Sequence, residues 1–198
     1  MNGKVYFLDI TDVLYTDEMI NSLPGYCVNK INKVNNVNLK KSRVLSWYFL
    51  KKILLTEKGI DLCNVDIWEN EYGKPYINEI YFNITHSDNY IGIIIGSEEC
   101  GIDIEKIELN VNKDKFAEKI LTKEEFEEYN QNNEVDYLIK KWTKIETHYK
   151  ILGEGITLSK LNKEINNTIN TILLDKGYYL SYGPFKCEII NIAELVFI

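Results

Sequence analysis

Apolar and polar residues alternate along several short stretches of the chain, which predicts β-strands. The sharpest alternation lies in residues 101–107, where Ile102 and Ile104 alternate with Asp103 and Glu105. Side chains at positions i and i+2 share one face of a strand, so the two carboxylates point the same way. Residues 90–95 are apolar throughout, as in a central strand buried on both faces. Further strands are predicted at 4–10, 65–68, 80–82, 169–174, 178–182 and 186–192.

Helical spacing of apolar residues predicts helices over 40–58 and 134–153, and Gly59 closes the first of them as a C-cap would. Between them, residues 114–130 are amphipathic. This stretch is interrupted near Thr122, whose hydroxyl can cap a new helix with Glu125 three residues later. Strands, helices and then more strands with hairpin-like turns predict an α+β fold with largely antiparallel sheets.

The composition is that of an ordinary globular protein. The 198 residues are 45% hydrophobic and 27% charged, which suits one large domain or two small ones. The net charge of −7 gives no support for a protein that binds nucleic acid by neutralising phosphates. The four cysteines lie far apart, so we expect neither a zinc site nor a disulfide framework, and a reducing cytoplasm fits best. We see no signal peptide or membrane span and expect a cytoplasmic protein without a membrane partner.

Three carboxylates occur at positions where their negative charge needs a compensating cation or proton. Asp103 and Glu105 on one strand face indicate either a solvated acidic face or half of a magnesium site. Glu146 lies about 40° from Trp142 on its helix, inside the apolar arc. A carboxylate on a buried face needs a partner, which is either Lys150 one turn later or a metal ion shared with the strand.

Groups that suit phosphate oxygens occur in three short segments: Lys74 in a stiff turn before Pro75, Thr85 and His86 at a strand end, and Lys40, Lys41 and Arg43 at a helix start. Each segment also has a structural interpretation, as an ordinary turn, a satisfied histidine or a solvated helix end. The sequence has neither a Walker loop nor a GxGxxG motif, so a phosphate site here must be built from side chains.

In this order, the motifs resemble those of 4′-phosphopantetheinyl transferases of the surfactin-synthetase-activating type, a monomeric class. The resemblance is carried by GKP at 73–75, FNITHS at 82–87, GIDIEK at 101–106, Phe116 with LTKEE at 121–125, and WTKIETHYKILGEG at 142–155. Five spaced motifs in the right order are specific, whereas any one of them alone is not. The similarity covers about residues 73–155 and extends more weakly to the helix start near Lys41.

The resemblance implies two similar α+β halves related by a pseudo-twofold axis, each an antiparallel sheet packed with helices, here residues 1–99 and 100–198. Coenzyme A would bind between them. Its 4′-phosphopantetheine arm would pass to a serine of an acyl or peptidyl carrier protein, releasing adenosine 3′,5′-bisphosphate, with magnesium as the metal. The sequence does not say whether the carrier serves fatty-acid, polyketide or nonribosomal peptide synthesis.

Carried over position by position, the resemblance makes Asp103, Glu105 and Glu146 the metal ligands. It assigns coenzyme A contacts to Lys41, Arg43, Lys74, Pro75, Thr85, His86 and Lys150. Catalysis would rest on Asp103, Lys150 and Glu146, with Glu146 the base for the serine hydroxyl either directly or through a metal-bound water.

One position departs from the family pattern, which usually has a lysine immediately before the helix glutamate. This chain has Ile145 there, with Lys144 one residue earlier on nearly the opposite face from Trp142, so Lys150 would carry the positive charge alone. We therefore expect a working but slower transferase, or one with altered phosphate contacts. A coenzyme A or carrier-protein binding module that has lost turnover is a second hypothesis. A magnesium-dependent hydrolase of another nucleotide is a third hypothesis, which leaves the spacing of Lys74 and His86 unexplained.

Overall fold

The structure, a computed structural model, describes residues 2–132, 134–163, 165 and 168–195. The strands are β1 (Gly3–Asp9), β2 (Ile67–Glu69), β3 (Pro75–Ile77), β4 (Tyr81–Ser87), β5 (Tyr90–Gly96), β6 (Gly101–Lys106), β7 (Asn170–Leu174), β8 (Tyr178–Gly183) and β9 (Glu188–Asn191). The helices are α1 (Asp17–Asn21), α2 (Gly25–Asn32), α3 (Val37–Lys58), α4 (Lys113–Ile120), α5 (Lys123–Asn132) and α6 (Val135–Leu152), with short 3₁₀ turns at Leu62–Asn64, Leu158–Lys160 and Ile192–Glu194. This mixture of sheets and helices confirms the predicted α+β class.

The first sheet has the strand order β4-β5-β1-β9. Strand β5 is antiparallel to both β4 and β1, whereas β9 runs parallel to β1. As its apolar sequence predicts, β5 is buried on both faces. Ile91 and Ile93 enter the core that contains α3, and Ile94 enters a core shared with the second sheet.

The second sheet has the order β6-β8-β7 and is antiparallel throughout. Ile102 and Ile104 of β6 pack with Val5 and Ile94 of the first sheet, so the two sheets share an apolar core. Helix α6 packs on β6 and β8, and a third apolar cluster joins α6 to α4 and α5. Strand β6 therefore has one face in the core between the sheets and the other face beneath α6.

Helix ends follow local capping chemistry. Thr122 and Glu125 form the predicted capping box, since each backbone amide donates to the other residue's side-chain oxygen, at 3.0 and 3.3 Å. Gly59 ends α3 with a φ of 67°, as predicted for a C-cap. The start of α3 was predicted too late, because Asn36 caps it by accepting from the amide of Leu39 at 2.9 Å. The basic residues near position 41 consequently lie beyond the first turn.

The last described strand crosses back to the first sheet, because β9 pairs with β1. Residues 188–191 thus complete a sheet built otherwise from residues 3–96. The division of the chain into halves at residues 99 and 100 stays a prediction. Within the described ranges, no helix is long and apolar enough to cross a membrane.

Candidate active site

The two sheets meet where edge strand β4 lies against edge strand β6. Alternate residues of β4 make the contacts: Asn83 Oδ1 accepts from the amide of Ile102 at 3.2 Å, and Thr85 Oγ1 donates to Asp103 Oδ1 at 3.2 Å. Two residues further on, Ser87 Oγ donates to Glu105 Oε2 at 3.3 Å. Because side chains at i and i+2 share a face, one face of β4 fixes the positions of both strand carboxylates.

Helix α6 approaches β6 closely because position 101 is glycine. A Cβ at Gly101 would lie 2.6 Å from the Thr147 carbonyl oxygen and 2.7 Å from the Ile151 amide nitrogen. Thr147 Oγ1 also donates to the Ser181 carbonyl at 3.1 Å, which ties the helix to β8. This close packing places Glu146 and Lys150 of α6 over the acidic face of β6.

The predicted residues Asp103, Glu105, Glu146 and Lys150 form one cluster. The Lys150 ammonium donates to Asp103 Oδ1 at 2.5 Å and to Thr85 Oγ1 at 3.2 Å, and it lies 3.9 Å from Glu146 Oε2. Asp103 is buried, with 4% of its side chain exposed. The interpretation of this strand as a solvated acidic face is therefore wrong, because α6 covers it.

The electrostatics of the cluster follow from burial and like charge. Burial and the charges of Asp103 and Glu146 raise the pKa of Glu105 to about 7. Burial and the negative charge of Asp103 also raise the pKa of Glu146. Burial alone would lower the pKa of Lys150, but the surrounding carboxylates, Asp103 first, outweigh it and raise that pKa. One ammonium among three carboxylates leaves an excess of negative charge that attracts a cation or protons.

A magnesium site formed by Asp103, Glu105 and Glu146 stays a prediction. In the part of the chain that the structure describes, no group of three or more His, Cys, Asp or Glu side chains is arranged to hold a metal ion. The Lys150 ammonium compensates the charge of Asp103 directly. The donor set nevertheless fits magnesium, which prefers oxygen ligands. Asp103 Oδ2 is buried and has no hydrogen-bond partner among the described residues, so it remains available as a ligand.

A second feature is a cavity of about 300 Å³ beside β4. It is lined by Tyr26, Lys30, Arg43, Ser46, Trp47, Gly73, Pro75, Ile84 and His86. Thr85 and His86, predicted as neighbouring phosphate ligands, separate here, because strand alternation directs Thr85 to the carboxylates and His86 to the cavity. His86 lies at the rim of the cavity and is exposed on one side. Partial desolvation of the imidazole, followed by the charges of Lys150 and Arg43, lowers the pKa of His86.

Arg43, Pro75 and His86 of this cavity were predicted from the sequence, whereas its other lining residues were not. The signal was helical spacing: Ser46 and Trp47 lie three and four residues after Arg43 on α3, and Lys30 lies four residues after Tyr26 on α2. Only the packing shows that α2 and α3 share this wall. There, Arg43 Nη1 donates to the Lys30 carbonyl at 3.3 Å.

Two predicted phosphate ligands, Lys41 and Lys74, do not line this cavity. Lys41 Nζ donates to the Thr11 carbonyl at 3.1 Å, and Lys41 is not among the residues that line the cavity. The Lys74 ammonium donates to backbone carbonyls at the end of α6, including that of Lys150 at 2.8 Å. A phosphate contact for either lysine stays a prediction.

Ile145, which stands where the family pattern has a lysine, lies in an apolar environment. Ile145 is 3% exposed and packs in the apolar cluster with Ala117 and Ile120 of α4. Burial, then the charges of Lys140 and Lys141, lower the pKa of Lys144, so its charged neighbours are not the three carboxylates. Lys150 is therefore the lysine of α6 that reaches the cluster.

Fold and site together define an α+β protein in which a buried carboxylate cluster and a cation-lined cavity lie on opposite sides of one strand. Residues 99–182 match the family described as the 4′-phosphopantetheinyl transferase superfamily. The chain is 31% identical over 170 residues to the 4′-phosphopantetheinyl transferase gsp of Aneurinibacillus migulanus, covering 81% of this chain and 67% of that protein.

Two further relatives point the same way. The 4′-phosphopantetheinyl transferase Sfp of Bacillus subtilis is 27% identical over 55% of this chain and 50% of its own length. A holo-[acyl-carrier-protein] synthase of Mycoplasma mobile is 37% identical over 34% of this chain and 64% of its own length. The chain belongs to the 4′-phosphopantetheinyl transferase superfamily, which confirms the family predicted from the motifs. These relatives are named as enzymes.

Proposed function

We propose that this protein transfers the 4′-phosphopantetheine arm of coenzyme A to a serine of an acyl or peptidyl carrier protein. The observation that carries the proposal is the placement of the acidic cluster and the cavity about one strand, β4. Thr85 contacts Asp103, and the adjacent His86 lines the cavity. A substrate with a nucleotide at one end and a pyrophosphate further along can bind the cavity and the acidic cluster at the same time.

The cavity suits the nucleotide end of coenzyme A. Its volume is at the lower end for a small-molecule pocket, which fits part of a long ligand. Arg43 and Lys30 supply cations for the 3′-phosphate, and the rings of Trp47 and Tyr26 lie 5.9 Å apart in an edge-on arrangement that provides apolar surface for a base. Lys30 now pairs with Glu69, so a phosphate would compete with that carboxylate.

The acidic cluster suits the pyrophosphate end. Asp103, Glu105 and Glu146 would hold magnesium, which when bound would neutralise charge on the phosphate oxygens. Lys150 adds a positive charge from the helix, steadied by Thr85 and Asp103.

The chemistry then rests on positioning and one proton transfer. The serine oxygen attacks the β-phosphorus of coenzyme A, and the bond from that phosphorus to the bridging oxygen breaks, releasing adenosine 3′,5′-bisphosphate. Where Glu146 is not a magnesium ligand, it accepts the serine proton, and burial raises its pKa toward the working range of a base. Lys150 stabilises the negative charge that develops on the leaving oxygens.

Two sheets, each packed against a long helix, α3 or α6, and joined along β4 and β6, support the pseudo-twofold arrangement of halves. We place the active protein in the cytoplasm as a monomer whose partners are coenzyme A and the carrier, without nucleic acid or membrane.

A second candidate is a coenzyme A or carrier-protein binding module with weak turnover, favoured by the burial of Ile145 where the family has a lysine. The test is to incubate the protein with coenzyme A, magnesium and an apo carrier protein and to weigh the carrier. A gain of the phosphopantetheine mass supports the transferase. Binding of coenzyme A without that gain supports the module.

The matched controls are two Asp→Asn variants. Asp103→Asn removes the buried charge from the cluster and should lower the transfer rate by about 10²-fold or more. Asp88→Asn changes an exposed aspartate at the end of the β4 hairpin and should leave the rate unchanged. Equal rates in both variants would refute the role of the acidic cluster.

A further inference from the structure

The turn that precedes β3 is organised by one asparagine. Asn70 Oδ1 accepts from the amides of Tyr72 and Lys74, at 3.0 and 3.1 Å, and the amide of Gly73 donates to the Asn70 carbonyl at 3.0 Å. Gly73 has a φ of 83°, a conformation that side chains rarely adopt. The turn is thus a rigid unit that presents both the Asn70 amide group and the Lys74 side chain.

Both of these groups contact the end of α6. Asn70 Nδ2 donates to the Gly153 carbonyl at 2.7 Å. Lys74 Nζ donates to the carbonyls of Lys150 and Ile151, at 2.8 and 3.3 Å, and to Cys100 O at 3.4 Å. The last carbonyls of a helix lack intrahelical partners and carry the negative end of its dipole, so an ammonium there stabilises the helix end.

The ammonium of Lys74 is surrounded by acceptors. Its residue is 9% exposed, and Glu99 Oε2 lies 2.8 Å from Nζ and balances the charge. Lys74 is not among the residues that line the cavity, although its neighbours Gly73 and Pro75 are. The side chain therefore points to the helix and the flanking backbone to the cavity.

This arrangement links the two parts of the site. The carbonyl of Lys150 accepts from Lys74, while the ammonium of Lys150 donates to Asp103. Glu146 lies one turn earlier on the same helix. A shift at the end of α6 would move both side chains relative to the acidic strand.

We propose that Lys74, together with Asn70, is a positioning residue that fixes the end of α6 and so holds Lys150 and Glu146 in register with Asp103. This role differs from the coenzyme A phosphate contact carried over for Lys74 from the family resemblance. It rests on the proposed function for its kinetic part, and on the fold alone for its structural part.

The kinetic test compares Lys74→Met with the exposed Lys4→Met, using coenzyme A, magnesium and an apo acyl carrier protein. We expect Lys74→Met to lower kcat about tenfold to a hundredfold while the KM for coenzyme A changes by less than about threefold. Lys4→Met should match the wild type. A raised KM with unchanged kcat would identify a phosphate contact instead, and unchanged kcat and KM in the folded variant would show only a structural lysine. Either result overturns the proposal.

The structural test is amide hydrogen exchange, which does not require turnover. The amides of Gly153 and Glu154 donate to carbonyls in the last turn of α6, and their exchange should become about tenfold faster in Lys74→Met. Asn70→Ala, which removes the bond to Gly153, should show the same direction and serves if Lys74→Met does not fold. Unchanged exchange would refute the proposal even if transfer is observed, whereas a wild-type protein without transfer but with faster exchange in the variant would refute only the proposed function.

Discussion

The Lys150 ammonium lies 2.5 Å from Asp103 Oδ1 and joins helix α6 to strand β6 by an ion pair. The same ammonium lies 3.9 Å from Glu146, and Glu105 is close enough for the charges of Asp103 and Glu146 to raise its pKa. One lysine thus compensates only part of the charge of three carboxylates. We expect this unbalanced charge to lower the stability of the metal-free protein.

The contribution of Glu105 to the free energy of unfolding of the metal-free protein should fall as the pH rises from the ordinary range of a glutamate toward 7. In the folded protein the pKa of Glu105 is about 7, above its ordinary value of 4.5. Between these values the folded protein keeps a proton that the unfolded chain releases, so rising pH favours unfolding, by about 1–3 kcal/mol in total. Urea denaturation in EDTA across this range measures the slope.

Two variants separate Glu105 from other acids. Glu105→Gln should lose this downward contribution, because an amide has no proton to release, so its stability should fall less steeply with rising pH than that of the wild type. Glu108→Gln removes an exposed acid that pairs with Lys106 and should keep the wild-type slope. Equal slopes in the wild type and Glu105→Gln would contradict the raised pKa of Glu105, because the lowered pKa of His86 affects both proteins alike.

Gly101→Ala should destabilise the protein by about 1–3 kcal/mol and lower the transfer rate. The new methyl group would lie 2.6 Å from the backbone of Thr147, so α6 must move away from β6. Thermal unfolding and initial rates measure the two effects. Gly25→Ala is the control, since its methyl group would meet nothing within 4 Å. Wild-type rates in Gly101→Ala would show that the close helix approach is not required.

Arg43→Met should raise the KM for coenzyme A about tenfold to a hundredfold with little change in kcat, because a lost charge-assisted hydrogen bond costs about 1.5–3 kcal/mol. The same variant should bind dephospho-coenzyme A, which lacks the 3′-phosphate, as the wild type does. Lys52→Met, on the same helix beside Tyr48, is the control for charge on α3. An equal loss of affinity for both nucleotides would argue against a 3′-phosphate contact.

Ile145→Lys should destabilise the protein by more than about 2 kcal/mol and should not speed transfer, because position 145 lies in an apolar cluster. Ile145→Met keeps the apolar character and should cost less than about 1.5 kcal/mol. Melting temperatures and rates of the two variants provide the comparison. A stable Ile145→Lys variant with a higher rate would show that the lysine of the family pattern can be restored.

Much of the local structure could be predicted because it depends on neighbours in the chain. The capping box at Thr122 and the double burial of β5 follow from short sequence patterns. The common direction of Asp103 and Glu105 follows from the two-residue repeat of a strand. Family membership was also evident, since it rests on the order and spacing of motifs.

The sequence by itself determined these periodic features, because backbone geometry sets which residues share a face. Only the tertiary structure decided which faces meet. It paired β9 with β1, brought Lys30 beside Arg43, and directed Lys74 to the end of α6. Such contacts join residues far apart in the chain and depend on how whole elements pack, for which no local pattern of apolar and polar residues carries a signal.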